Sequence, residues 1–233
     1  MVRVEDGMTK KSDITQNKII SSAEILFYSQ GIRQTTQQEL ANLAGVNRGL
    51  IHHYFGTKQA IALLISRRFT NAFYAAVNEL YFKDEPDVIF KSITQGRILF
   101  NTLFSNRNFE RFFMEEVHGR IMVENVEESP VYRDLCKECA YLGLNYSEEE
   151  MRLYSIAITS VEHKLFGAKI NNASTISTEG IINIYNRIHL GILGFDKAAQ
   201  EALIERAIAF SKKIVFVNNG NFDVRPEYFL FTP

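Results

Sequence analysis

Nearly every segment of this 233-residue chain repeats its apolar residues at helical spacing, and that periodicity constrains the fold more than any other feature. No stretch alternates convincingly as a strand. Only four prolines and thirteen glycines interrupt the pattern, which leaves room for long helices. The expectation is an all-α chain of about ten helices, long enough to bury a sizeable core. No apolar run approaches the roughly 18 residues needed to cross a bilayer. The polar start "MVRVEDGMTKKSD" has no signal-peptide segment. A cytoplasmic protein without membrane contact is expected.

Local signals place the helix ends. "ITQNKIISSAEILFYSQG" sets Ile20, Ala23 and Phe27 on one face and ends at Gly31, which can adopt a left-handed cap. Thr36 with Glu39 three residues on forms a capping box that opens a short second helix. Gly45 permits a sharp turn, and Asn47 caps a third helix through about Tyr54. Thr57 caps a fourth to about residue 82. Pro86 and Pro130 suit first helical turns, the latter after Ser129. Ser147 with Glu150 opens a long helix to about residue 170. Two more follow, roughly 178–191 and 196–218. The aromatic end "VRPEYFLFTP" reads as a docked tail.

The third helix is unusual. In "GVNRGLIHHYFGTK", Ile51 and Phe55 share one face with Leu40, Ala44 and Val46. Gly49, His52 and His53 lie opposite, flanked by Leu50 and Tyr54. Two short helices joined by a Gly-containing turn, with a basic, aromatic outer face, are the pattern of a helix-turn-helix. Gly49 would let a backbone approach closely, and the helix amino end offers N–H groups suited to phosphate. Charge agrees in sign: residues 1–70 hold nine Lys/Arg against five Asp/Glu, and the remainder 17 against 22.

The run "KIISSAEILFYSQGIRQTTQQELANLAGVNRGLIHHYFGTKQAI" resembles the TetR family of bacterial transcriptional regulators. The likeness covers residues 17–65: the Leu-Phe and Gly ending of the first helix, the Thr-Thr entry, the Ala-Gly-Val turn, the His-Tyr-Phe ending and the following Lys. Leu50 stands where the family often has Thr, and His52 where it often has Tyr. The resemblance implies a DNA-binding domain over residues 1–57 with a polar N-terminal arm, and a helical effector-binding and dimerisation domain over 58–233. It makes Arg48, Gly49, Leu50 and His53 candidates for base contact. Thr36, Asn47, His52, Tyr54 and Lys58 become candidates for phosphate contact. Arg48 could read guanine, and Leu50 could pack on a thymine methyl. The implied partners are a double-stranded, palindromic DNA operator, a second copy of the chain and a small, largely apolar effector. A structural or division-control protein with the same head and no effector is the alternative.

Other chemistry has little support in the sequence. Cys136 and Cys139 are spaced C-x-x-C, yet they sit inside a helical pattern and cannot alone complete a zinc site. Glu115 and His118 have the helical Glu-x-x-His spacing of di-metal bundles, but no second copy exists, since Asn186 precedes His189 and Ser160 precedes His163. No nucleophile motif or phosphate-cradling Gly loop is present. No catalytic residue, metal or cofactor is expected.

In the second half, Leu203, Ala207, Phe210 and Ile214 form a stripe with Ile204, Ile208 and Val215 beside it. Such a stripe serves either a core or a dimer seam, and the resemblance favours the seam. The Phe-rich middle (Phe90, Phe100, Phe104, Phe109, Phe112, Phe113) is expected to be mostly core. The resemblance also implies an effector pocket there, with Phe100, Phe104, Phe113, His118 and Tyr154 as candidate lining. The helix from Lys58 would be the lever between pocket and head.

Overall fold

The computed structural model describes residues 5–120, 126–170, 174–218, 220–222 and 224–227. Helices α1 (Glu5–Gln30), α2 (Gln37–Ala44) and α3 (Arg48–Phe55) form a head, from which α4 (Lys58–Tyr81) runs into a body. The body contains α5 (Val88–Phe104), α6 (Arg107–Arg120), α7 (Pro130–Leu142), α8 (Glu148–Ile170), α9 (Thr178–Ile192) and α10 (Lys197–Ser211). The N-terminal arm expected to precede the head is helical from Glu5.

The helix ends follow the local chemistry. Thr36, Asn47, Thr57, Ser129, Ser177 and Asp196 each accept a hydrogen bond from a first-turn N–H. Ser147 and Glu150 form the expected box at α8. Pro130 is the first residue of α7, whereas Pro86 stands before the α5 cap, Asp87. Gly31 takes the left-handed conformation at φ +90°. It is also crowded: a Cβ there would lie 3.0 Å from both the Arg111 Nε and a Glu115 oxygen.

Helix α5 is the spine of the body and packs against α4, α6, α7, α9 and α10. Ten of its residues are buried, among them Arg97, which bonds to Asn183 of α9. Burial pulls the Arg97 guanidinium down to about 10, with the Glu179 carboxylate acting against the shift. It therefore stays charged near neutrality.

Two expectations for the C-terminal region are revised. The stripe on α10 packs at least partly on its own chain: Ile204 and Ala207 are buried, Leu203, Ile208, Phe210 and Ile214 are partly buried against the core, and the Phe210 ring sits 5.1 Å from Phe82 and 5.7 Å from Phe90. Arg206 seals that edge over the Phe90 ring and pairs with Asp87 and Glu85. Moreover, α10 stops at Ser211, and an antiparallel hairpin follows, β1 (Val215–Asn218) with β2 (Val224–Glu227). The run Val215–Phe216–Val217, β-branched and aromatic, favours a strand. Gly220 and Asn221, both at positive φ, supply the turn. The expected docked tail lies mostly beyond the described residues.

Phe222, in that turn, reaches the joint of head and body. Its ring lies 5.8 Å from Tyr28 of α1, 6.4 Å from Phe69 of α4, and 5.6 and 4.5 Å from Phe109 and Phe112 of α6.

Candidate functional site

Helix α3 is held by one buried residue, Ile51, with no exposed surface. Opposite it, Gly49, His52 and His53 are exposed and Leu50 and Tyr54 half-buried. The His53 and Tyr54 rings meet edge to face at 5.0 Å, and Tyr54 leans on Phe55. Asn47 Oδ1 accepts from Gly49 N at 2.8 Å, and Leu50 N donates to Asn47 O. The amino end of α3 thus has fewer free N–H groups than the sequence suggests. Arg48 Nε donates to Gln37 on α2 at 3.3 Å, which draws the guanidinium toward the start of that helix.

Thr36 is exposed and engaged in the capping box: Glu39 Oε2 accepts from Thr36 N at 2.8 Å, and Thr36 Oγ1 accepts from Glu39 N at 3.1 Å. The Thr36 N–H and the Thr36 hydroxyl, both donating to that carboxylate, hold the Glu39 carboxyl below its ordinary value. Lys58 is expected at phosphate. Its ammonium instead donates to three backbone carbonyls, Ile32 O at 2.8 Å, Arg33 O at 3.3 Å and Thr35 O. An ammonium has three donors, so this cage engages all of them. The lysine pins the turn between α1 and α2 to the start of α4.

Within the body a cavity of about 520 Å³ is lined by residues of α4 to α9. Phe100, Phe104, Phe113, Phe166, Leu99 and Met114 supply much of its apolar wall. Phe90, Phe109 and Phe112 are instead fully buried in the core. Tyr154 is not in the wall; it packs on Tyr146 at 4.9 Å. The side chain of His118 lies outside the described residues.

Sequence reasoning passed over the polar floor of this cavity. His189 of α9 and Glu138 of α7 meet at 2.7 Å, Nε2 to Oε2, with Glu138 1% exposed and His189 9%. Asn186, one turn before His189, is also buried. Glu138 Oε1 and Asn186 Nδ2 have no hydrogen-bond partner. Tyr185 lines the same region, and burial, reinforced by the Glu162 carboxylate, holds its phenol well above the ordinary value. Among the described residues, no cluster of His, Cys, Asp or Glu is suited to a metal ion. Cys136 and Cys139 are free thiols on α7, and burial pushes the Cys139 thiol up.

Residues 19–65 match the sequence pattern of bacterial regulatory proteins of the tetR family. The head thus carries the N-terminal pattern of the TetR family. The chain is 40% identical over 75 residues to the HTH-type transcriptional regulator TtgR of Pseudomonas putida, covering 31% of this chain and 35% of TtgR. It is 40% identical over 67 residues to the probable regulator ArpR of Pseudomonas putida, covering 28% of this chain and 32% of ArpR. The chain thus matches about a third of the length of these curated relatives. The fold extends the likeness: RolR crystallised with resorcinol superposes with a TM-score of 0.61 at 13% identity, over 84% of this chain and 96% of RolR. RolR without ligand gives 0.54 at 14% identity, over 82% and 96%.

Two helices join cavity to head. Leu63, Ser66, Arg67, Thr70 and Tyr74 of α4 line the cavity, and α4 begins at the Lys58 cage. Helix α6 is a second link that the sequence did not indicate. Its Phe113 and Met114 line the cavity, while Arg111 donates to Tyr28 O at 2.7 Å and Glu115 Oε2 accepts from Arg33 N at 3.0 Å. Glu115, read in sequence as half a metal motif, here caps the loop after α1.

Proposed function

We propose that the chain is a homodimeric, sequence-specific DNA-binding transcriptional regulator, a repressor released from its operator by a small molecule. The observation that carries this reading is the outward face of α3, where Gly49, His52 and His53 are exposed and Leu50 and Tyr54 half-buried, opposite the buried Ile51. Arg48, Gly49, Leu50 and His53 contact bases, and Thr36, Asn47, His52 and Tyr54 contact phosphates. Residues 1–57 form the DNA-binding unit, and 58–233 the effector and dimer unit. A single head this small reads too few bases, so two copies present two α3 helices about 34 Å apart to successive major grooves.

The α8 and α9 faces support dimerisation through those helices. Leu153 and Ile156 of α8 are 59% and 46% exposed, and Ile188 of α9 is 38% exposed. A second copy would cover these apolar side chains. An effector in the cavity that favours a different head separation shifts the population away from the DNA-binding state. By linkage, DNA weakens effector binding equally.

Binding to genomic fragments, followed by measurement on the selected site and on random DNA across a salt series, tests the reading. His53→Ala should narrow the gap between the two DNAs, and Tyr54→Phe should weaken both alike. A chain that binds neither DNA would overturn it.

A further inference from the structure

Two buried orphans at the cavity floor need an explanation. Glu138 Oε1 can only accept a hydrogen bond when ionised, and Asn186 Nδ2 can only donate. Each is buried without a partner, on a side chain 1% and 3% exposed, and each residue lines the cavity. His189 fixes the other Glu138 oxygen at 2.7 Å and stands one helical turn from Asn186. Leaving such atoms unmade is costly, and native structures retain few of them.

The question is which ligand group answers both. An ammonium gives a proton to Glu138 but cannot accept from Asn186. A carboxylate or ketone accepts from Asn186 but offers nothing to Glu138, and the carboxylate adds a like charge. A neutral hydroxyl does both with one oxygen. The walls choose the rest of the molecule: Phe100, Phe104 and Phe166 form a continuous aromatic run, with ring centroids 4.5 Å and 4.8 Å apart. Tyr185 stands edge-on to Phe100 at 5.6 Å. Flat aromatic bodies stack on such surfaces.

From this geometry we infer that the cavity takes neutral hydroxylated aromatic compounds, held by one hydroxyl that donates to Glu138 and accepts from Asn186. The inference rests on the reading of the cavity as an effector site and adds the class of effector. Water can satisfy the same atoms, so the aromatic body supplies the surplus that displaces it.

The test is calorimetric titration of the full chain, without DNA, using 4-phenylphenol, 4-methoxybiphenyl and biphenyl-4-carboxylate. The three share a ring system and differ in the group offered to the floor. The phenol should bind at least about tenfold more tightly than either analogue, because each analogue leaves Glu138 unanswered. In Asn186→Leu and Glu138→Gln the preference should shrink to about threefold or less. Equal binding of phenol and methoxy compound by the unaltered chain, or no binding of any, would overturn the inference. The ligand series needs no variant, so a substitution that fails to fold leaves the test intact. DNA affinity measured with the phenol present tests the other reading separately: a phenol that binds selectively without releasing DNA counts against effector-driven release and leaves the ligand class standing.

Discussion

Lys58 offers the sharpest separation between two roles for one residue. As a phosphate contact it would leave the free protein unaffected when removed. As the cage in the structure, it holds Ile32, Arg33 and Thr35 carbonyls against the start of α4. Three such bonds at about 1 kcal/mol net each give about 3 kcal/mol. Against this, a cation in the first turn of α4 opposes the helix dipole, and a neutral side chain recovers roughly 0.5–1 kcal/mol. Lys58→Met should therefore destabilise the chain by about 2 kcal/mol, or about 4–8 °C in melting temperature for a chain of this length. Lys58→Arg should recover little, because a planar fork cannot aim its donors at three carbonyls around one point. Urea unfolding followed by circular dichroism measures the loss. The salt dependence of DNA binding measures the alternative, since a lost phosphate contact flattens its slope by about one unit. Unchanged stability together with a flattened slope would refute the cage argument.

Three further expectations follow from other contacts. Phe210→Ala should cost about 2–4 kcal/mol of stability by opening a void beside Phe82 and Phe90 while dimers persist, whereas Ile156→Glu should give folded monomers by ultracentrifugation. Glu115→Ala removes the acceptor for Arg33 N, so a ligand that lowers DNA affinity in the parent should lower it less in the variant, by about 1 kcal/mol of coupling in paired binding titrations. The Glu39 carboxyl is held below its ordinary value by Thr36, so its contribution is present above the unfolded value, about pH 4.3, and fades as pH falls through the lower folded one. Glu39→Gln should flatten acid unfolding across that window, read by fluorescence at fixed urea.

The head was legible because its signals are short-range. Thr36 with Glu39, Asn47 with Gly49, and Gly45 at its turn act within a few residues of one another, so sequence spacing carries their geometry. The body is assembled from distant pieces. Phe112 and Phe113 are neighbours of identical type, yet one is core and the other cavity wall, a difference set by which helix packs across from each. The floor is harder still, because Glu138 and His189 come from helices 51 positions apart and no local pattern joins them. The hairpin had a signal, the β-branched and aromatic run before Asn-Gly. It was masked by the helical period of α10, which continues through Ile214.

The hairpin also imposes an order on biosynthesis. Tyr28, Phe69, Phe109 and Phe112 emerge from the ribosome long before the ring that meets all four. At roughly 5–20 residues per second, Phe222 follows Phe112 after on the order of ten seconds. Throughout that interval the joint between head and body is an open aromatic notch, exposed to chaperones and to other nascent chains. A chain stopped after α10 would hold head to body through the Arg111 and Glu115 contacts but without the Phe222 ring between them.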